Sequence, residues 1–215
     1  MFELFADSTP NARKISIMLE EINENYSITF INLNKGEQFH EDFKKISPFS
    51  KIPVLRHENQ TIFESGAILI YLANFSGEFY GLNQNLTTQW LMAQMGFIGP
   101  MLGQHHQFHH YNPGKSEFGE QRYFKIAETI YKNLDDHLSN NEYLAREYSI
   151  ADMATFPWIA RHPIHEIGLN KYLNLTRWYN KIELRPAVIK GYDLLKDGTV
   201  PPSGNDNESI FQWFM

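Results

Sequence analysis

KIPVLRHENQTIFES, residues 51–65, is the stretch whose reading decides the fold. It reads as two short strands, Val54–His57 and Thr61–Phe63, joined by a turn at Glu58-Asn59-Gln60. One proline, Pro53, stands just ahead of the first strand. Proline cannot donate to a sheet ladder and is confined to strand starts, edges and bulges. A cis Ile52-Pro53 bond is the expected geometry; it turns the backbone of Ile52 outward, leaving an N–H and a C=O unpaired by the sheet and open to a ligand.

Working outward, FELFA at the N-terminus reads as a strand, ARKISIMLEEI as a helix and YSITFIN as a second strand. A short helical piece at Asp42–Ile46 leads into the hairpin, and SGAILIYLANF follows it as a helix. The order β-α-β-α-β-β-α fits a small sheet flanked by helices. SGEFYGLNQN, with two glycines and two asparagines, reads as a linker. Beyond it only helices are expected: Leu86–His110, interrupted near Gly96, Gly99, Pro100 and Gly103; Glu120–Leu138; Ile150–His162; Tyr172–Glu183; and a short one after Pro186. Residues 1–78 and 86–200 are thus expected to form two domains, with a tail over 201–215. In SIAD, Ser149 and Asp152 form a capping box whose chemistry is used by the helix start itself.

Composition narrows the function. The 215-residue chain carries a net charge of −6 and gives no basic field for a phosphate backbone, so no nucleic-acid partner is expected. MFELFADSTP lacks the basic and apolar regions of a signal peptide, which points to a cytoplasmic chain in which Asn25-Tyr26-Ser27 is not glycosylated. No Lys, Arg, Asp or Glu occurs from Phe79 to Gly114, but the apolar heart WLMAQMGFIGPML spans only 13 residues. A membrane span needs roughly 20, so a buried helix is the better reading. There is no cysteine, which excludes disulfides, thiolate metal sites and a CxxC pair. Any thiol chemistry must borrow its thiol.

Two helix starts carry candidate chemistry. In ADSTPNARK, Thr9 reads as an N-cap with Pro10 at the first helical position. That can be the whole story, or the free N–H groups and positive potential of the helix start can hold an anion such as a thiolate, with Thr9 and Asn11 adding donors. A thiol with pKa near 8.5 is about 3% ionised at pH 7, and lowering that pKa by two units takes about 2.7 kcal/mol. One or two hydrogen bonds to the charged sulfur suffice. Glu64 and Ser65 open the helix after the hairpin. They read either as an ordinary helix start or as a clamp in which Ser65 and its amide take a carboxylate while Glu64 takes an ammonium.

The segments STPNARKISIMLEE, NKGEQFHEDFKKISPFSKIPVL, FESGAILIYLA, TQWLMAQMGFIGPMLGQHHQFHH and SIADMATFPW resemble, in order and over roughly 160 residues, the glutathione transferases. The likeness is greatest to their bacterial Nu-class, disulfide-reductase-like branch, which is related to the yeast prion-forming transferase-like regulator. The resemblance implies an α/β thioredoxin-like N-terminal domain, an all-α C-terminal domain, a homodimer and glutathione as cosubstrate. The family's glutathione contacts fall on Asn11, Gln38, Ile52 with Pro53, Glu64 and Ser65, with Lys51 placed for the glycyl carboxylate. Arg122, in EQRYF, matches an arginine that helps bind a second glutathione; its other reading is a surface ion pair of little energetic weight. Other branches activate the thiol with an early tyrosine, serine or cysteine. Here no cysteine exists and Ser8 lies one place before the threonine of the pattern. The expected catalytic residues are Thr9 and Asn11, acting in direct thiol–disulfide exchange.

His105, His106, His109 and His110 form two i,i+4 pairs, a spacing that can hold a metal on a helix face. No carboxylate completes the set, and no metal is expected. The leading expectation is a glutathione-dependent enzyme that reduces small disulfides and weakly transfers glutathione to electrophiles, with a role in detoxification. The rival is a non-catalytic glutathione-binding regulator or scaffold of the same fold. The sequence shows no long Asn-rich extension of the kind that precedes the regulator's transferase-like domain, and the enzyme is expected.

Overall fold

The computed structural model describes residues 1–204. Its first part holds a four-stranded sheet, β1 (Phe2–Ala6), β2 (Tyr26–Phe30), β3 (Val54–His57) and β4 (Gln60–Phe63), in the order β2-β1-β3-β4. β1 and β2 run parallel, joined by helix α1 (Pro10–Glu21); β1–β3 and β3–β4 are antiparallel. Because His57 pairs with Gln60, the hairpin turn is the two residues Glu58-Asn59, one fewer than the sequence indicates. A short helix α2 (Glu41–Lys44) precedes β3, and α3 (Ser65–Ser76) follows β4.

The second part is helical: α4 (Gln84–Ala93), α5 (Gly99–His105), α6 (Glu117–Leu138), α7 (Ile150–Ile159), α8 (His162–His165), α9 (Leu173–Glu183) and α10 (Pro186–Tyr192). The only β pairing among the described residues here is the isolated bridge Ala145–Glu147. The expected helix Leu86–His110 is corrected in kind. It runs unbroken from Gln84 to Tyr111, but two stretches, Gln94–Ile98 and His106–Tyr111, are π-helical. Pro100 has no N–H for the carbonyl four residues back, and widening the turn ahead of it accommodates the ring without breaking the helix. Two other boundaries move. Ser116 caps α6, which therefore starts at Glu117. Ile150–His162 ends early at Ile159, and a separate turn, α8, starts with Pro163 in its first turn. Of the expected tail 201–215, residues 205–215 lie outside the described residues.

Helix α1 ties the two parts together. Eight of its residues, Ala12–Leu19, are buried, because it packs against α3 on one side and α7 and α10 on the other. Phe2, Leu4, Ile15 and Leu55 of the sheet part join Leu91, Tyr131, Phe156 and Trp178 of the helical part in one continuous core. The N-terminus of α1 therefore opens where the two parts meet.

Candidate functional site

Three backbone starts converge on one cleft. Pro53 stands just ahead of β3, and its bond to Ile52 is cis, as expected from the sequence. Ladder pairing begins at Val54, so the backbone of Ile52 stands outside the sheet. The loop ahead of it is fixed by Ser47, whose Oγ accepts from the Lys51 N–H at 3.0 Å and donates to the Lys51 carbonyl at 2.7 Å. Asn11, Lys51, Ile52, Pro53, Glu64 and Ser65 line a pocket of about 260 Å³, together with Ser47, Phe49 and Phe63.

The start of α3 supplies donors to this pocket. Its N-cap, Glu64, makes no side-chain cap bond, and the first intrahelical bond is Ile68 N to Glu64 O at 3.0 Å. The amides of Ser65, Gly66 and Ala67 thus have no intrahelical acceptor, and a helix start of this kind favours a negatively charged partner. Glu64 adopts φ +72°, a left-handed conformation that costs a side-chain-bearing residue on the order of 1–3 kcal/mol. Strain of that kind is held where it turns a side chain and the following amides toward a ligand.

At α1, Thr9 Oγ1 accepts from Ala12 N at 3.3 Å, which caps the helix and leaves the hydroxyl proton free to donate. Asn11 borders both this pocket and a second one of about 390 Å³, formed with Lys14, Glu64, Gln94, Met95, Gly99, Pro100, Gly103, Gln104, Gln107 and Trp158. The two pockets share Asn11 and Glu64 and so adjoin between the sheet part and α5. The Trp158 indole N–H donates to Asn11 Oδ1 at 3.0 Å. An indole can only donate, so the carboxamide oxygen is committed and the Nδ2 donors remain.

Beneath the cleft lies Lys14, with only 1% of its surface exposed. Its ammonium donates to Gln94 Oε1 at 2.6 Å and, more weakly, to Ser65 Oγ at 3.4 Å. Burial lowers its pKa to about 7, and nearby Glu64 opposes the drop. Neither Lys14 nor Trp158 is singled out by the sequence reading, although both stand inside segments that carry the family likeness. No local signal marked Lys14, because α1, PNARKISIMLEE, mixes polar with apolar residues along its length.

The remaining expected site residues fall elsewhere. Gln38 sits on the 3₁₀ turn Glu37–Phe39 and borders neither pocket; its Oε1 is buried with no partner in the structure. Arg122 lies on an exposed position of α6, away from both pockets. Thr9 caps α1 without lining either pocket. Ser8 is engaged on another side, its Oγ accepting from buried Arg13 at 2.7 Å. The histidine pairs are used for packing. His106 Nε2 and His165 Nε2 are 2.7 Å apart, His165 Nδ1 meets the Tyr131 hydroxyl at 2.6 Å, and His109 pairs with Glu166 at 3.1 Å. Burial holds His106 near a pKa of about 3, which keeps it neutral. Among the described residues no group of three His, Cys, Asp or Glu side chains is arranged to hold a metal. A larger concavity, about 550 Å³, lies away from this chemistry beside β2 and α10, where Glu20 is already paired with Lys190 and Tyr26.

Such a cleft can hold a small anionic peptide: extended backbone against Ile52, a carboxylate on the open amides of α3, an ammonium at Glu64 and a soft anion before Asn11. Known proteins point the same way. Residues 2–74 match the family described as glutathione S-transferase, N-terminal domain, and residues 100–186 the glutathione S-transferase, C-terminal domain. The chain is 39% identical over 207 residues to the disulfide-bond oxidoreductase YfcG of Escherichia coli (strain K12), covering 91% of this chain and 95% of that one. A glutathione transferase from Burkholderia graminis, solved with two glutathione molecules bound per subunit, superposes with a TM-score of 0.85 at 34% identity, over 92% of this chain and 89% of that one. One from Pseudomonas putida, solved with one glutathione disulfide bound per subunit, gives 0.85 at 35% identity, over 90% and 91%.

Proposed function

The chain belongs to the glutathione transferase family, and from that premise we propose that it is a glutathione-dependent disulfide-bond oxidoreductase that uses the thiolate of bound glutathione as its nucleophile. The carrying observation is Asn11, whose amide donors are left free by Trp158 at the point where the two halves of the cleft meet. The chain has no cysteine, so all three sulfurs of each exchange, the attacking one and the two of the disulfide, come from the ligands. Glutathione thiolate attacks one sulfur of a small disulfide, the S–S bond breaks, and the other sulfur leaves as thiolate and takes a proton. A second glutathione thiolate attacks the resulting mixed disulfide. Two thiols are oxidised to glutathione disulfide while the substrate is reduced to two thiols. Two adjoining pockets that share Asn11 and Glu64 suit this sequence, and so do the two glutathiones or one glutathione disulfide carried by the relatives.

In this reading Ile52 and Pro53 take the cysteinyl backbone, Lys51 the glycyl carboxylate, and Ser65 with Glu64 the γ-glutamyl head group. Asn11 is the principal thiolate donor, with the cap Thr9 beside it. Gln38 and Arg122 act only where a second ligand moiety or a neighbouring subunit reaches them. Residues 1–78 supply the glutathione-binding domain and residues 86–200 the helical domain. The protein works in the cytoplasm, where reduced glutathione is abundant, with weak conjugation of electrophiles serving detoxification. No described helix is long and apolar enough to cross a membrane. The deciding experiment is a side-by-side assay with a model disulfide and a halonitrobenzene. Turnover of the disulfide is expected to dominate, and turnover of neither by protein that binds glutathione would make it a binding protein.

The reading includes a twofold homodimer. Met92 and Phe97, on the first half of the long helical stretch, are each 47% exposed, and Phe63 and Phe75 of the sheet part add apolar surface. Light scattering at micromolar concentration is expected to give twice the mass of the 25.2 kDa chain. A monomer would remove the basis for a role of Arg122 at a subunit cleft.

A further inference from the structure

Trp158 sits half-buried just beyond Pro157, near the end of α7, and its ring is held on several sides. A Cβ on Gly99 would lie 3.3 Å from its Cε2, and one on Gly103 would lie 3.3 Å from its Cη2. These glycines are i,i+4 neighbours on α5, so together they make the flat seat against which the indole rests. His106 stacks near the ring, with centroids 5.9 Å apart and planes 12° apart, and is itself fixed by the contact to His165. The single polar atom of the indole points at Asn11 Oδ1, 147 positions away in sequence.

We propose that Trp158 is a positioning residue for thiol activation: its indole N–H holds the Asn11 carboxamide with the oxygen turned inward and Nδ2 turned to the sulfur of bound glutathione. The inference deepens the reading of this cleft as a thiolate site and rests on it. A carboxamide can rotate by half a turn at little cost. In one orientation it offers an N–H to an anion, and in the other it offers an oxygen that repels it. A donor-only partner at the oxygen selects the productive orientation before the ligand arrives, which is where preorganised electrostatic stabilisation comes from. A second side-chain amide bordering this half of the cleft, Gln94, likewise has its oxygen engaged by a donor from the sheet part, accepting from Lys14 Nζ at 2.6 Å. Through Trp158 the helical domain sets the donor geometry of the glutathione-binding domain.

The test is Trp158→Phe, which keeps an aromatic ring at this position and removes the N–H together with the outer edge that rests on Gly103. The pKa of the thiol of bound glutathione is read from thiolate absorbance in the ultraviolet, beside the dissociation constant for glutathione and turnover of a model disulfide against pH. The charged and titratable groups around the amide, Lys14 and Glu64 at the cleft and His106 and Arg161 behind the ring, are the same in both proteins. A shift in the thiol pKa therefore reports the amide. The expected result is a raised thiol pKa, turnover at pH 7 lower by about 3- to 10-fold, the size of one neutral hydrogen bond, recovery at higher pH, and little change in glutathione affinity. Added to Asn11→Ala, the substitution is expected to move the pKa no further. Gly103→Ala, which crowds the opposite edge of the ring, is expected to shift the pKa in the same direction and gives a second readout should Trp158→Phe fold poorly. A depressed thiol pKa in the native complex that stays in place in both variants would overturn the role of Trp158 alone, as would effects additive with Asn11→Ala. A native complex whose thiol titrates like free glutathione would instead sink the reading of the cleft, and this inference with it.

Discussion

Asn11→Asp is expected to lower turnover of a small disulfide at pH 7 by about 100- to 1,000-fold, equivalent to about 2.7–4.1 kcal/mol of transition-state stabilisation. The substitution is nearly isosteric and keeps an oxygen for the Trp158 N–H, so the helix start and the cleft should survive it. What changes is the group facing the sulfur. An amide donor, whose hydrogen bond to a charged partner contributes about 1.5–3 kcal/mol, becomes a carboxylate oxygen. Two like charges about 4 Å apart near a protein surface then add repulsion on the order of 4 kcal/mol, which protonation of the new carboxyl partly relieves. Asn11→Ala, which deletes the donor without adding the charge, should cost about 10- to 100-fold and recover partly as pH rises and the thiol ionises without help. Ser8→Ala should stay near the native rate, because the Ser8 hydroxyl is spent on Arg13. kcat/KM profiles against pH separate these outcomes. An Asn11→Asp enzyme of native activity would remove Asn11 from the mechanism, and a Ser8→Ala enzyme with none, beside Thr9 and Asn11 variants near the native rate, would replace that mechanism with a serine-type transferase.

The second large effect concerns stability. Asp152 is fully buried, and its carboxylate accepts from Leu144 N at 3.0 Å, Ser149 N at 3.1 Å, Ser149 Oγ at 3.2 Å and Trp178 Nε1 at 2.8 Å. Burial raises its pKa to about 6, and the four donated hydrogen bonds hold it from rising further. Asp152→Ala strands three buried N–H donors at once, each worth about 1–3 kcal/mol when left without a partner. Allowing for relaxation, a loss of about 3–5 kcal/mol in urea unfolding followed by helical circular dichroism is expected. That loss is a large part of the whole stability of an ordinary domain. Destabilisation below about 1 kcal/mol would mean that water reaches these donors and that the box is only a local cap. The sequence reading assigned Asp152 to the start of α7. The structure adds Trp178 on α9 and the loop at Leu144, which makes the box a joint between three segments.

The sequence by itself determined whatever rests on neighbouring residues. Thr9-Pro10 begins α1 because a hydroxyl cap and a fixed φ act within one turn. The proline before Val54 marks the point where ladder pairing starts, and Ser149 with Asp152 closes a box over three residues. The absence of cysteine settled, without any fold, that any thiol chemistry must use a thiol from outside the chain. Only the tertiary structure decided the rest. It turned the expected break at Pro100 into a π-helical widening, which makes room for the ring without interrupting the helix. It buried Lys14 beneath Ser65 and Gln94, which no helical periodicity distinguishes from a solvated lysine. It left Gln38 and Arg122 outside the two adjoining pockets, since a resemblance fixes which residue is present and not which cavity it reaches. It also brought Trp158 to Asn11 across the junction of the two parts, and no local pattern records which way an amide will face when its partner arrives from so far along the chain.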